Sequence, residues 1–290
     1  MIPIYSAAGA RLALVYNSLT LNNPSDDVDD TYEVNSVITG DALQILHEAL
    51  PNTDGSELSS EVRKQLKIIR IDGTMRAPSL ASYFDKRLAL ALAFDAAKID
   101  HENTDPYLAL TFSTPTTDTT TYPTGLVASK YLVLPRKLTL PAISMYTGLA
   151  GFFSIELEAI DPRRYLQTAA TAQVSGTGTS AFANSKADTY SWPTVTITAT
   201  GAGSATYQVS ASLSGLTNLT LDLSGLVNTD VVTVNMATKL IQKNGTDAPQ
   251  LYVSGDFFPV EPYSYQAASL TVAGGTNMTT VASWYPALVD

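Results

Sequence analysis

Phe152-Phe153-Ser154-Ile155-Glu156-Leu157-Glu158-Ala159-Ile160-Asp161-Pro162 alternates apolar and polar residues before it reaches an aspartate-proline break. A period of two is the signature of a strand with one face on a core and the other toward water. Ile155, Leu157 and Ala159 then face inward, and Ser154, Glu156 and Glu158 face outward. At ~3.3 Å rise per residue the two glutamates stand about 6.5–7 Å apart, a spacing that overlaps the carboxylate separation of inverting glycosidases. Alternation by itself demands polar residues on the outer face, so the pair is expected to be solvated rather than to form a catalytic site.

Upstream, Lys67-Ile68-Ile69-Arg70-Ile71-Asp72-Gly73 reads as a strand ending at a glycine turn. Pro78 and Ser79 offer a helix start, with Ser79 as N-cap of a helix over Leu80–Ala97, the helix placed near 79–97. Leu80, Tyr83, Phe84, Leu88 and Ala91 recur at helical steps and give it one apolar face, although Leu88–Leu92 also alternates like a strand. Tyr107–Ser113 and Tyr131–Leu134 are further strands, and Asp41–Ala49 reads as a short amphipathic helix before Pro51.

Downstream the surface chemistry changes. Residues 1–172 hold 14 Lys and Arg and 20 Asp and Glu, whereas 173–290 hold only 3 and 7. In that second part 31 of 118 residues are Ser or Thr, which suits solvent-facing strand positions better than helix surfaces. Candidate strands are Val195–Ala199, Thr206–Ser212, Leu219–Leu223, Val231–Asn235, Leu240–Lys243, Leu251–Val253, Ser269–Ala273 and Thr279–Trp284. Short strands at such spacing, bounded by turn residues, predict an antiparallel sandwich. Asn244-Gly245 supplies the two positive-φ residues of a tight hairpin. The run Ser175-Gly176-Thr177-Gly178-Thr179-Ser180 has little apolar area to fix its backbone. The division expected is therefore an N-terminal β-rich domain over 1–172, a linker or mobile loop over 173–189, and a C-terminal β-sandwich over 190–290.

The whole chain has 290 residues, enough for about two domains with their own cores. It contains no cysteine, so thiolate metal sites, disulfides and cysteine nucleophiles are excluded, and with only two histidines most histidine-based zinc sites and triads are hard to assemble. A net charge of −10 disfavours specific nucleic-acid binding. The longest apolar run, Leu88–Phe94, falls far short of the ~20 residues of a membrane span. The N-terminus lacks the pattern of a signal peptide, so synthesis in the cytoplasm without export is expected.

The acidic stretch Asn22-Asn23-Pro24-Ser25-Asp26-Asp27-Val28-Asp29-Asp30 offers oxygen ligands, but without the glycine and distal glutamate of an EF-hand it reads as a solvated loop. His47 and His101 have no second ligand at metal spacing. No G-x-S-x-G, P-loop or dinucleotide fingerprint occurs, and the glycosylation sequons at Asn218, Asn244 and Asn277 carry little meaning without an export signal. No catalytic, cofactor or metal residue is assigned, and no cofactor is expected. Trp192, Tyr207, Tyr252, Tyr263, Tyr265, Trp284 and Tyr285 are divided between core packing and an exposed aromatic surface of the kind that binds sugars. A carbohydrate-binding sandwich without catalysis is the alternative reading of the chain.

One resemblance adds to these readings. Phe153–Tyr165, with its strand running into Ala159, Asp161 and Pro162, resembles the end of the N-terminal domain in the distal tail proteins of long, non-contractile-tailed bacteriophages. Ile71–Ser79 and the helix after it are similar to that family's strand, glycine and helix. Val231–Asn235, Lys243–Thr246, Leu251-Tyr252 and Asp256–Val260 are similar to its C-terminal sandwich. The resemblance implies a mainly β virion protein of the siphophage tail tip or baseplate, with one or two helices, and no enzyme. It further implies a hexameric ring built by the N-terminal domain, a galectin-like C-terminal domain, and partners in the tail tube, the tail hub and receptor-binding proteins.

Overall fold

Strands dominate the computed structural model, which describes residues 2–49, 56–94, 108–120, 122–142, 149–159, 161–182, 187–211, 215–262 and 269–288. The fold is mainly β, with two compact units, Met1–Arg164 and Tyr165–Val289.

The first unit comprises β1 (Leu14–Tyr16), β2 (Leu19–Leu21), β3 (Tyr32–Ala49), β4 (Ser56–Arg76), α1 (Leu80–Ala93), β5 (Leu108–Pro115), β6 (Leu126–Thr139) and β7 (Ala150–Ala159). Their sheet order is β2-β1-β5-β6-β7-β4-β3, antiparallel throughout. β6 joins the two halves of this sheet. Its residues 126–133 pair with β5, and its end, from Leu134, pairs with β7. In β7 the alternation expected from sequence holds: Phe153, Ile155, Leu157 and Ala159 are buried, while Ser154, Glu156 and Glu158 are partly exposed.

Gly73 does not end a strand. β4 runs through it to Arg76, and Gly73 pairs with both Val34 and Phe153. A Cβ at this position would sit 2.3 Å from the Phe153 ring and 2.5 Å from the Glu33 carbonyl oxygen. The glycine is there so that the ring can lie across the strand. Asp41–Ala49 is likewise not a helix but the far half of β3, paired with β4 from Lys67 to Ser56 through two register shifts. The long-range ladder overrides the helix-like spacing of Ala42, Ile45, Leu46 and Ala49.

Ser79 caps α1 as expected, its hydroxyl accepting from the Ser82 N–H at 3.2 Å. The helix ends at Ala93, with Phe94 as C-cap, and shows no strand character over Leu88–Leu92; the expected continuation to Ala97 lies outside the described residues. Its buried line is Tyr83, Leu90 and Ala93, and Phe94 stacks on Tyr16 with centroids 4.8 Å apart. These residues share one core with Val34, Ile69, Ile71, Met75, Leu110, Tyr131 and the inward face of β7. The two-residue turn Asn17-Ser18 between β1 and β2 has positive φ at both positions, and the Asn17 amide donates to the Ala93 carbonyl at 3.3 Å.

The second unit begins within a short strand, β8 (Arg164–Leu166), whose Leu166 N–H donates to the Pro286 carbonyl. It continues with β9 (Ala170–Ser175), β10 (Gly178–Ala181), β11 (Thr194–Ala199), β12 (Tyr207–Ser210), β13 (Leu219–Leu221), β14 (Val231–Asn235), β15 (Leu240–Lys243), β16 (Thr246–Asp247), β17 (Tyr252–Ser254), β18 (Ser269–Ala273), β19 (Met278–Trp284) and β20 (Ala287–Leu288). Two antiparallel sheets, β10-β18-β12-β13-β17 and β16-β15-β14-β11-β19-β9, enclose one core containing Val195, Ile197, Tyr207, Val209, Leu219, Leu270, Ala282 and Trp284. Within it Tyr207 Oη and Thr280 Oγ1 hydrogen-bond across the sheets at 2.6 Å, which explains an inward threonine on β19. Within the stretch 173–189, read from sequence as a linker or mobile loop, residues 173–175 and 178–181 are strand. β9 pairs with β19 over its whole length and β10 with β18. Small residues suffice along β9 and β10 because the ladders satisfy the backbone, while Ala172 and Val174 reach the core and Phe182, just after β10, packs edge-on against Trp284.

Asn244-Gly245 forms the predicted hairpin turn, with φ of 51° and 80° and Lys243 opposite Thr246. Beside it, the Asp230 carboxylate accepts from the Val227 N–H at 3.0 Å, the Lys243 ammonium at 2.9 Å and the Asn244 amide at 2.8 Å. These donors, the backbone N–H first, hold its pKa well below the ordinary 3.8. A carboxyl depressed in the fold stabilises above its unfolded pKa and loses that contribution as pH falls through the acid range. Asp230→Asn is therefore expected to lower the melting temperature at pH 7, with the gap to the unsubstituted chain beginning to narrow only once the pH falls below the ordinary carboxylate range. A gap that is constant with pH in thermal melts would refute this assignment.

Candidate functional site

The structure does not draw the sequence-predicted candidates into one site. Glu156 and Glu158 stand on the outer face of β7, Glu156 opposite Arg70 and Lys137, and Glu158 3.9 Å from the Arg136 guanidinium. They lie in a mixed-charge ladder. His47 belongs to β3, and His101 falls outside the described residues, as do Tyr263 and Tyr265. Tyr207 and Trp284 are core residues, whereas Trp192, Tyr252 and Tyr285 are exposed. Among the described residues, no group of three or more Asp, Glu or His is arranged to hold a metal ion, and no helix is long and apolar enough to cross a membrane.

The acidic stretch folds as an ordered loop. Asn22 is buried and its amide donates to the carbonyls of Ile4 at 2.8 Å and Leu12 at 3.1 Å. Asn23 Oδ1 accepts from the Ser25 N–H, its amide donates to Asp26, and Asp27 Oδ1 accepts from the Asp29 N–H. Asp30 closes the loop against the Lys86 ammonium at 3.1 Å, which also lies 4.7 Å from the centre of the Tyr32 ring. Burial, reinforced by Asp30 and Asp26, pushes the Tyr32 hydroxyl up, so it stays a neutral donor to the Lys86 carbonyl at 2.7 Å. At the tip Val28 is 59% exposed between Asp27 and Asp29.

The most unusual surface is on α1. Leu80, Phe84, Leu88 and Leu92 are 54%, 53%, 57% and 43% exposed, a row at four-residue steps on the side away from the core. A helix apolar on both sides satisfies one face with its own core and leaves the other to cover or be covered. Sequence spacing puts Leu80, Tyr83, Phe84, Leu88 and Ala91 on one apolar face; the structure splits that set, burying Tyr83 and turning Leu80, Phe84 and Leu88 outward. At its C-terminal end this row meets a groove of about 330 Å³ formed with β6, lined by Leu92, Phe94, Pro135, Arg136, Lys137 and Leu138. A register shift between Pro135 and Lys137 breaks the alternation of β6, so Arg136 and Lys137 are both exposed at the rim.

Both units together, rather than any local cluster, decide the comparison with known structures. The crystal structure titled SPP1 Dit (gp 19.1), a paradigm of the hub adsorption apparatus in Gram-positive infecting phages, superposes over 96% of this chain and 99% of its own, with a TM-score of 0.60 and 13% identity. This chain has the fold of SPP1 Dit. A component of the phage p2 baseplate in its activated conformation with Sr is also similar, over 94% of this chain and 97% of that one, with a TM-score of 0.50 and 7% identity. No family profile and no curated protein sequence matches the chain. The likeness to SPP1 Dit is thus one of fold.

Proposed function

We propose that this chain is a structural virion protein of the tail tip of a siphophage. It assembles into a ring of six copies that joins the tail tube to the tail hub and to host-recognition proteins. The carrying observation is the end-to-end likeness to SPP1 Dit, which spans both units and leaves almost none of either chain unmatched. In this reading the first unit builds the ring, and the second, a galectin-like sandwich, is presented to neighbouring tail proteins. The work is assembly rather than catalysis, and the outward apolar row on α1 suits a protein that functions among copies of itself. Immunogold labelling of purified virions tests the placement. Gold at the distal end of the tail is expected; label on the capsid, or none on particles, would overturn it.

A second reading, carbohydrate binding by the sandwich, is favoured by three exposed rings. Tyr190 and Trp192 flank Ser191, whose hydroxyl accepts from the Ala287 N–H, and the Thr189–Ala287 bridge brings Tyr285 to the same edge. A chain that remains a monomer and binds immobilised cell-wall polysaccharide would favour this reading over the ring.

A further inference from the structure

We infer that the acidic loop 26–30 of one copy seats in the groove between α1 and β6 of a second copy, making a head-to-tail contact. The inference rests on the ring reading and adds which surfaces meet.

The two surfaces match in shape and charge. The loop presents one exposed apolar side chain, Val28, among Asp26, Asp27, Asp29 and Asp30, with no cation in that run. The groove presents Leu92, Pro135 and Leu138 beneath Arg136 and Lys137. An apolar knob ringed by carboxylates fits an apolar hollow rimmed by cations. The loop is held in shape by its own Asx bonds and by the Asp30–Lys86 pair, so docking freezes little further freedom. Arg136 and Lys137 stand outward side by side at this rim, with Glu158 3.9 Å from the Arg136 guanidinium and Glu156 opposite Lys137 on β7.

The two surfaces also lie on opposite flanks of α1. About the buried line of Tyr83 and Leu90, Lys86 reaches the loop through Asp30 on one side, while Arg87 donates to the Pro141 carbonyl at 3.1 Å on the other, toward the end of β6. One copy therefore cannot fill its own groove with its own loop. Two different patches that face apart define a heterologous contact, which closes into a ring when the rotation between copies divides the circle. Leu92 belongs to both the groove and the outward row of α1, so the contact is continuous with Leu88 and Phe84.

Charge reversal tests the pairing. Arg136→Glu with Lys137→Glu reverses the groove, and Asp27→Lys with Asp29→Lys reverses the loop. Each double variant places like charges across the contact and is expected to assemble roughly tenfold or more weakly in light scattering while keeping the circular dichroism of the folded chain. Mixed in equal amounts, the two variants are expected to reassemble, because each loop then meets a groove of opposite charge.

The absence of cysteine provides a second arm. Val28→Cys and Leu92→Cys chains, made separately and oxidised together, are expected to give disulfide-linked dimers that neither gives alone. Rings that form undisturbed in the reversed variants, or a mixture that fails to recover, would overturn the pairing and leave the ring reading standing. An unsubstituted chain that stays monomeric, together with no cross-link, would remove both. If a reversed variant fails to fold, the cysteine pair decides.

Discussion

Gly255→Ala is expected to destabilise the second unit by about 3–5 kcal/mol, a loss that thermal or denaturant unfolding would read directly. Gly255 has φ of +102°, a conformation that L side chains rarely adopt. A Cβ there would also stand 1.9 Å from the Asn218 carbonyl oxygen and 2.8 Å from the Leu219 Cα. Those atoms are backbone at the start of β13, so no side-chain rotation relieves the collision. The Tyr252 hydroxyl donates to the Gly255 carbonyl at 2.9 Å, and Asp256 accepts from both the N–H and the hydroxyl of Thr217, so the segment is pinned on both sides. Gly245→Ala is the internal comparison. Its φ is +80° but a Cβ would meet nothing within 4 Å, so only about 1 kcal/mol of backbone strain is expected. Equal losses at the two glycines would refute the close approach of Gly255 to Asn218.

The second large effect separates two adjacent phenylalanines. Phe153 is buried, lies across Gly73 and meets Tyr32 edge-on with centroids 6.4 Å apart. Phe153→Ala is expected to cost the first unit about 3–5 kcal/mol, since the cavity would lie over a glycine that cannot fill it. Phe152, one residue earlier, is 71% exposed on the opposite face, and Phe152→Ala is expected to change stability by less than about 0.5 kcal/mol. The contrast tests the register of β7 itself, because a slip by one residue would exchange the two outcomes.

Much of this architecture can be read from local pattern, and the failures share a cause. β14, β15 and β18 occupy the residues that alternation and turn chemistry assign to them, and Asn244-Gly245 turns as its φ preferences dictate. Asp41–Ala49 and Gly73 misled because their conformations are set across the sheet, by β4 and by the Phe153 ring. The 173–189 stretch misled because composition reports how much apolar area a segment owns, not whether a neighbouring strand supplies its hydrogen bonds. The groove had no sequence signal either: it needs the break in β6 that turns Arg136 and Lys137 outward together, beside a helix remote in sequence. The outward row of α1 belongs to the same class, since an apolar helix does not announce which side its core will take.

Assembly is the central claim, and one observation tests it most directly: the mass of the purified full-length chain in solution, read with negative-stain images of the same sample. Closed rings of about six copies are expected, with a mass near the sixfold multiple of the monomer. A monodisperse monomer at every concentration reached, with no ring in the images, would contradict it.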